Sequence, residues 1–460
     1  MGLVSKNSKT TPYRYMDTLE NRLQKRIHVS LYALLFLTVL LGISVLLEGC
    51  TDKCEVTNEY VYYEPVYTTV EEIRSSIALM DPQPIKGVGT IYYKDGFLFV
   101  NEPGVGIHIL DNHNPSQPTP VKVLKVPGNY DMAIKGKTLY ADSFVDLVAF
   151  DITNVNAVKE TGRLEGVFKN YRSMGIQADV NCCVITEWKE DKNTAVTQSD
   201  CNAVYQPWGG VYYGTGIALQ ANMAADFSTE AAIAPGSGSG LGVGGSLARF
   251  TLSGDHLYML DGGDLQTVDV SSEKNPVAKT RQYVSWDIET IFPHKNNLFI
   301  GSTTGMHIYD VSEPETPVTV SMYQHVVSCD PVVVDDEYAY VTLRSGNVCA
   351  GTSNQLEIID IRTLTNPQLT ATYQMTNPHG LGVDGETLFL CDGSDGLKAF
   401  DVTDVHNISA NMLAHYQNIN AHDVIPYNDV LIMIGTDGIF QYDYSDPKNI
   451  KLLSQINVHH

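Results

Sequence analysis

Short apolar runs that end on an aspartate recur along the chain. One such run is Met306-His307-Ile308-Tyr309-Asp310, and another is Leu147-Val148-Ala149-Phe150-Asp151. The seven aspartates are Asp111, Asp151, Asp269, Asp310, Asp360, Asp401 and Asp443, and successive members are 40, 118, 41, 50, 41 and 42 residues apart. A period of about 40 residues indicates a supersecondary unit that must stack on its neighbours to bury its faces.

Each unit contains four short runs rich in Val, Ile, Leu and aromatic residues, separated by turn residues. In the last unit these runs are 423–426, 430–434, 438–443 and 450–453. The pattern predicts four strands per unit, and such units close radially into a propeller that protects their sheet edges. We therefore predict an all-β fold, a β-propeller of seven or eight four-stranded blades. The eighth blade depends on a degenerate unit at about 170–245, inside the spacing of 118 residues.

The recurring aspartate has a local structural explanation. It is followed by Ser, Asn or Pro within a few residues, as in Asp310-Val311-Ser312-Glu313-Pro314. An aspartate in this setting bonds its own downstream backbone and starts a turn. We therefore predict a turn-forming role, and no catalytic role, for all seven.

The repeated blocks resemble a known repeat family. The segments GIHILDNHNPSQP, LEIIDIRTLTNPQ and LKAFDVTDVHN follow strands that contain LFV, AYV and LFL. They are similar to LVIVD repeats, which are associated with cell-surface proteins of bacteria and archaea, and the resemblance covers roughly residues 86–457. It implies a propeller fold and a surface location, and it brings no catalytic motif. We assign residues 86–460 to the propeller, and we expect the Gly, Ser and Ala-rich stretch 190–245 to be a flexible insertion within it.

The N-terminus predicts export. Residues 1–28 carry six basic side chains, an uncharged run fills 29–47, and Leu47-Glu48-Gly49-Cys50 follows. The last four residues resemble a bacterial lipobox, which implies a lipoprotein signal peptide at 1–49 and lipidation of Cys50. The alternative is an uncleaved signal anchor, because 19 uncharged residues can span a bilayer. Both place the propeller in the cell envelope, facing the periplasm or the exterior, and the lipid-anchored form could sit in an outer membrane. Residues 50–85 would form a tether, with an extra strand or short helix where the ring closes.

Charge narrows the set of partners. The formal net charge is −23, and removal of 1–49, with six basic and three acidic side chains, changes it to −26. Such acidity disfavours nucleic acid and anionic lipid surfaces as partners. We expect a monomer, held at the membrane by its lipid, with a protein or glycan as the possible ligand.

Seven cysteines remain after Cys50. In an oxidising compartment we predict a disulfide between Cys329 and Cys349, because the sequence between them predicts a hairpin that returns its ends together. No cysteine spacing matches a zinc motif.

The first strand of each blade lines the axis of a propeller, and alignment of the units places polar residues at one depth. Those residues are Tyr130, Glu289, Asp330, His379 and His422, with Asp131, Arg249 and Asp423 beside that position. We name Glu289, Asp330, His379, His422 and Asp423 as a candidate channel ligand site. Convergence there could bind a divalent cation or a polar ligand such as a sugar. The alternative is an ordinary wet channel mouth, and no metal or catalytic residue is assigned.

Two functions remain open. The chain contains no GxSxG, HExxH or P-loop motif. The first function is a non-enzymatic binding or interaction module, because a fold alone implies no chemistry. The second is a metal-assisted hydrolase or lactonase-like enzyme, with a cation held at the axis by His379, His422, Asp330 and Glu289. Convergence of those side chains within metal-ligand distance would favour the enzyme.

Overall fold

The computed structural model describes residues 29–40, 53–170, 172–173, 176–177, 182–200, 210–213, 218–220, 243–286, 288–326, 331–345 and 353–459. The chain divides into two compact units, residues 1–61 with 192–210 and residues 62–191 with 211–460. The second unit contains seven antiparallel sheets that are consecutive along the chain. These sheets are the blades of a β-propeller, so the predicted fold class is confirmed with seven blades.

Every blade has an inner, a second, a third and an outer strand in chain order. Blade 1 comprises Ile91–Lys94, Phe97–Glu102, Gly106–Asp111 and Thr119–Lys125; blade 2 comprises Met132–Lys135, Thr138–Ser143, Asp146–Asp151 and Lys159–Leu164. Blade 3 comprises Phe250–Ser253, His256–Asp261, Asp264–Asp269 and Val277–Tyr283; blade 4 comprises Ile288–His294, Asn297–Ser302, Gly305–Asp310 and Val318–Gln324. Blade 5 comprises Val332–Val334, Tyr338–Leu343, Gln355–Asp360 and Gln368–Gln374; blade 6 comprises Leu381–Asp384, Thr387–Cys391, Leu397–Asp401 and Met412–Tyr416; blade 7 comprises Ala421–Tyr427, Val430–Gly435, Gly438–Asp443 and Lys451–Asn457.

The burial of each strand depends on its position in the blade. Second and third strands are almost continuously buried, as in Phe97–Glu102 and Gly106–Asp111, because neighbouring blades cover both of their faces. Outer strands bury little, as in Lys159–Leu164, and are correspondingly polar. All seven ladders between third and outer strands contain a register shift, so the blades share even this irregularity.

The predicted role of the repeated aspartates is confirmed by their contacts. In each blade the carboxylate that ends the third strand accepts a hydrogen bond from the backbone N–H two residues later. The N–H donors are those of His113, Thr153, Ser271, Ser312, Arg362, Thr403 and Ser445, at 2.7–3.1 Å. The turns that connect third to outer strands therefore lie on one face of the ring, opposite the face where inner strands begin.

Blade 1 carries two extra strands. Ala78–Met80 pairs with its outer strand, and Val243–Gly244 pairs with its inner strand at the axis. The short helix Val70–Ser75 precedes the first of these, with a capping box between Thr69 and Glu72. The sequence predicted an extra strand or a short helix in 50–85; the described residues of this segment contain the helix and a strand that adds to the outer edge of blade 1.

The described parts of the insertion include short strands, and the predicted flexibility of 190–245 stays a prediction. Cys183–Asp200, Gly210–Tyr213 and Ala218–Gln220 belong to a sheet with Lys53–Thr69, whose residues Tyr62 and Tyr63 pair in parallel with Tyr212 and Tyr213. Because these strands pair with the segment that precedes the propeller, they do not form an eighth blade. A disulfide joins the adjacent residues Cys182 and Cys183.

The N-terminal segment appears only in part. Residues 29–40 form a helix, and no helix in the described part of the chain is long and apolar enough to cross a membrane. Cys50, Cys329, Cys349 and Asp330 lie outside the described residues, so the lipidation site, the predicted disulfide and one candidate ligand stay predictions.

Candidate functional site at the propeller mouth

At the start of the inner strand, blades 4 and 7 place two residues opposite one on the second strand. In blade 4 the extra residue is Glu289, and in blade 7 it is His422. In blade 6 the Cys391 carbonyl accepts from the His379 N–H while the Cys391 N–H donates to Gly380, which puts His379 at the same position. We call this ring of positions the mouth. The alignment made from the sequence thus places Glu289, His379 and His422 at equivalent positions.

The axis behind the mouth is crossed by the end of the insertion. Residues 243–249, here called the plug, first pair antiparallel with the inner strand of blade 1 at Tyr92 and Tyr93. The Ser246 hydroxyl then accepts a hydrogen bond from the Leu381 N–H of blade 6 at 2.9 Å. It also donates to Asp423 Oδ1 of blade 7 at 3.5 Å. The plug therefore reaches blades 1, 6 and 7 before it enters blade 3.

On the far side of the ring, the plug is fixed by blades 2 and 4. The Ala248 carbonyl accepts from the Ile291 N–H at 2.8 Å. Asp131 Oδ2 accepts from the N–H groups of Arg249 and Phe250 at 2.6 and 2.9 Å. Ser246 is 2% exposed, so its polar contacts replace water. Main chain thus closes the axis that the enzyme hypothesis requires to be open.

Burial raises the pKa of Asp131, which holds the plug, and of the neighbouring Asp142. Removal of the carboxyl from water raises the pKa of Asp131 to about 7, against the opposite effect of the N–H groups of Met132 and Arg249. Burial likewise raises the pKa of Asp142 to about 6, while the N–H groups of Asp131 and Tyr130 oppose the shift.

His379 is surrounded by hydrogen-bond donors. Its ring nitrogens Nδ1 and Nε2 lie 3.2 and 3.3 Å from Arg344 Nη1, and Nε2 lies 3.1 Å from Asn377 Nδ2. A guanidinium can only donate, and a neutral imidazole offers a single acceptor nitrogen. The neighbouring positive charge also disfavours a bound cation at this position. Arg344 and Asn377 were missed by the sequence analysis, although Arg344 directly follows a second strand, where loops of the mouth begin.

A buried network holds the segment that carries His379. The Asp392 carboxylate accepts from the N–H groups of Thr376 and Asn377, and Lys398 pairs with it at 2.5 Å. Lys398 also contacts Asp395 at 2.7 Å, so two carboxylates share one ammonium. This arrangement fixes the backbone of Asn377, two residues before His379, and thereby positions the imidazole of His379.

His422 stacks on His379. Their ring centroids are 4.9 Å apart with an interplanar angle of 27°. His422 Nε2 lies 3.1 Å from the Thr436 hydroxyl, and the Gly380 N–H donates to the His422 carbonyl at 2.8 Å. A Cβ added at Gly380 would lie 2.1 Å from Asp423 Oδ1, so only glycine permits this approach of blades 6 and 7.

The structure thus brings together only part of the candidate ligand set. His379 and His422 touch, and buried Asp423 lies next to the plug. Glu289 is half-buried at the same depth on blade 4. Within the described residues, the one group of three or more potential metal ligands is a different one, His256, Asp269 and Glu315.

The ammonium of Lys279 already pairs with the carboxylates of that group. Lys279 Nζ lies 2.6 Å from Glu315 Oε1 and 3.4 Å from Asp269 Oδ2. Hydrogen bonds from Ser271 lower the pKa of Asp269 to about 2, so its carboxylate stays charged opposite the ammonium. The three residues therefore form an ion-pair cluster on the face opposite the mouth.

Family comparison agrees with this architecture. The model of the LVIVD repeat matches residues 244–282 and 328–375, which include the strands of blade 3 except Tyr283 and all four strands of blade 5. The chain carries LVIVD repeats. The resemblance seen in the aspartate-ended runs is thereby confirmed. Proteins with LVIVD repeats are typically extracellular or surface-associated. No curated protein matches this LVIVD-repeat chain.

Several solved structures are similar to the LVIVD-repeat propeller. A protein from Lactobacillus plantarum gives a TM-score of 0.47 at 12% identity, over 81% of this chain and 95% of that one. The periplasmic gluconolactonase PpgL of Pseudomonas aeruginosa gives 0.46 at 10% identity, over 83% and 96%. The computationally designed Ika8 protein gives 0.46 at 9% identity, over 82% and 90%. Similarity at this level concerns the fold alone.

Proposed function

We propose that this chain is a lipid-anchored, extracytoplasmic β-propeller that acts as a non-enzymatic binding module at the cell surface, with its ligand at the mouth. The observation that supports this function is the plug, whose Ser246 and Ala248 carry main chain across the axis. An axial catalytic cation would need that space and would need His379 as a ligand. Arg344 lies against both nitrogens of His379 and opposes that role.

The ligand class follows from the groups at the mouth. Arg344 and Asn377 present nitrogen donors beside His379, and Asn420 and Thr436 lie beside His422. Guanidinium and amide donors recognise carboxylates and hydroxyls. We therefore propose a polar, acidic ligand, and an acidic glycan is the representative that combines both groups.

The test is a calorimetric titration of the full chain, purified in detergent, with galacturonate oligomers and with neutral galactose oligomers. The acidic oligomer should bind more tightly, and Arg344→Ala should weaken its binding about tenfold, a typical effect of losing one charge-assisted contact. Arg362→Ala is the matched control, because it removes an exposed arginine on the opposite face, where Arg362 pairs with Asp360. Equal binding of both oligomers, or equal loss in the control, would contradict the proposal.

The alternative is the metal-assisted hydrolase or lactonase-like enzyme, and the stacked pair His379 and His422 is the observation in its favour. It predicts a stoichiometric divalent cation that is lost in His422→Ala, together with hydrolysis of a sugar lactone. Metal analysis of the dialysed full chain and a lactone assay measure both. A bound cation with that activity would replace the binding-module proposal.

A further inference from the structure

A cavity of about 300 Å³ lies between blades 1 and 2 on the face opposite the mouth. Its apolar lining comprises Phe97 and Phe99 of blade 1 with Ile152 and Val155 of blade 2. Lys94, Asp95 and Lys137 also line it, together with Gly136, Thr153, Asn154 and Asn156. This volume is at the lower limit of known small-molecule sites, so the cavity suits a ligand of few atoms.

Two other blade interfaces have a tyrosine contact at the equivalent position. Between blades 2 and 3, the Tyr140 hydroxyl donates to the Glu273 carbonyl at 3.0 Å, and Thr138 donates to the Glu273 carboxylate at 2.9 Å. Between blades 3 and 4, the Tyr258 hydroxyl donates to the Pro314 carbonyl at 2.9 Å. Glu273 and Pro314 each lie four residues after their repeat aspartate.

Between blades 1 and 2, the residues at the two corresponding positions have smaller side chains than Tyr140 and Glu273. Phe99 stands where the next blades have Tyr140 and Tyr258, and it has no hydroxyl. Val155, four residues after Asp151, is shorter than Glu273. Phe99 and Val155 are 1% and 9% exposed, so the space between them is walled by buried apolar groups.

The rim of the cavity is positively charged. Lys94 and Lys137 both pair with Asp95, at 2.6 and 2.8 Å, so two ammonium groups share one carboxylate. The rest of the chain is strongly acidic, with a formal net charge of −23. An anionic group is favoured at this rim over a cationic one.

We propose that this cavity is a second binding site, which takes a small aromatic or branched aliphatic carboxylate with its apolar part on Phe99 and Val155 and its carboxylate at Lys137. The site is independent of the mouth, because the two are on opposite faces of the ring. Binding here therefore stands whether or not the mouth ligand is acidic.

Titration of the full chain with phenylacetate tests the site, with phenethylamine and acetate as ligand controls. Phenylacetate should bind with a dissociation constant on the order of 1 mM, as expected for a fragment of this size. Val155→Phe fills the cavity and should abolish binding. Lys137→Met removes the exposed ammonium and should weaken binding about tenfold.

Lys295→Met is the matched control variant, because Lys295 forms the corresponding inter-blade ion pair with Asp336 at 2.6 Å, on the same face between blades 4 and 5. It should bind phenylacetate as the parent does. Phe99→Tyr restores the residue found in blades 2 and 3 and should weaken binding without loss of fold, which thermal unfolding checks. Absence of binding by the parent, equal binding of phenethylamine, or undiminished binding by Val155→Phe would each overturn the proposal.

Discussion

The aspartates on the two faces of the propeller differ in their burial. The repeat aspartates are partly exposed and accept N–H groups, and Asp310 is typical, with the Ser312 N–H at 2.7 Å. Hydrogen bonds from the Ser312 side chain and backbone hold the pKa of Asp310 below its usual value. Asp131 at the plug is buried, and its pKa is raised. The same side chain thus stabilises a turn in one setting and anchors main chain in the other.

The turn contact can be tested through its pH dependence. Asp310→Ala should lower the unfolding temperature at about pH 7, and Asp310→Asn should lower it less, because an amide oxygen still accepts a hydrogen bond. The folded pKa is below the unfolded value, so the stabilisation is present above about pH 4 and is lost as pH falls through the folded pKa. The difference between parent and Asp310→Ala should therefore shrink toward about pH 3 in thermal unfolding.

Glu313→Gln serves as the control for Asp310, since Glu313 is an exposed acid in the same turn. Its effect on the unfolding temperature should be small at every pH. A difference between parent and Asp310→Ala that did not change with pH would show that the charge of Asp310 has no part in the turn.

At the scale of elements, the blades could be predicted from sequence and the plug could not. Alternation of apolar runs with turn residues, and the aspartate that ends each third strand, are local patterns. These patterns identified the seven units and predicted that His379 and His422 occupy equivalent positions of their blades. The plug depends on contacts such as that of Ser246 with Leu381, 135 residues away, which no local pattern encodes.

Sequence patterns also did not reveal Arg344 as a residue of the mouth. Its partner His379 is on the next blade, and sequence spacing does not show which loops of adjacent blades meet.

The contact of Asp131 with the plug gives a prediction at the scale of elements. Asp131→Asn replaces one acceptor oxygen by an amide donor, and with the amide at the Oδ2 position the N–H groups of Arg249 and Phe250 both lose their acceptor. Each buried amide left unsatisfied costs about 1–3 kcal/mol of stability. Hydrogen exchange at Arg249 and Phe250 should accelerate, and the denaturation midpoint should fall. Asp81→Asn is the control, because it removes an exposed carboxylate that pairs with Lys122. Unchanged exchange at both amides would refute the anchoring role.

At the scale of the whole molecule, the ring is held by an unbroken circuit of apolar contacts between consecutive blades. One core cluster spans blades 1 to 3, a second joins blades 3 and 4, and a third spans blades 4 to 6. Two more join blade 6 to 7 and blade 7 to 1. All four main strands of each blade come from one stretch of chain, so no strand is exchanged between the first and last blades. Closure therefore depends on contacts at the seam between blades 7 and 1, which include a main-chain hydrogen bond from the His459 N–H to the Ile85 carbonyl at 2.8 Å.

A buried amide pair contributes to the polar part of that seam. Asn112 Nδ2 donates to Gln441 Oε1 at 2.8 Å, and Gln441 Nε2 donates to Asn112 Oδ1 at 2.7 Å. The side chains are 2% and 0% exposed and 329 residues apart in sequence. The Ser454 hydroxyl adds a bond to the Pro115 carbonyl at 2.6 Å across the same seam. Reciprocal bonds satisfy both amides without water, so loss of one partner leaves the other buried and unpaired.

We expect Gln441→Leu to destabilise the fold by about 1–3 kcal/mol, because it orphans the amide of Asn112. The double variant Asn112→Leu/Gln441→Leu should recover part of that loss, since removal of both polar groups removes the desolvation penalty. Denaturant unfolding of the two single variants and the double variant measures the coupling. Limited proteolysis should cut Gln441→Leu faster than the parent near the seam, because blades 7 and 1 separate more readily. Strict additivity of the two substitutions would show that the pair does not act as a unit, and the apolar cluster and the main-chain bond would then account for ring closure.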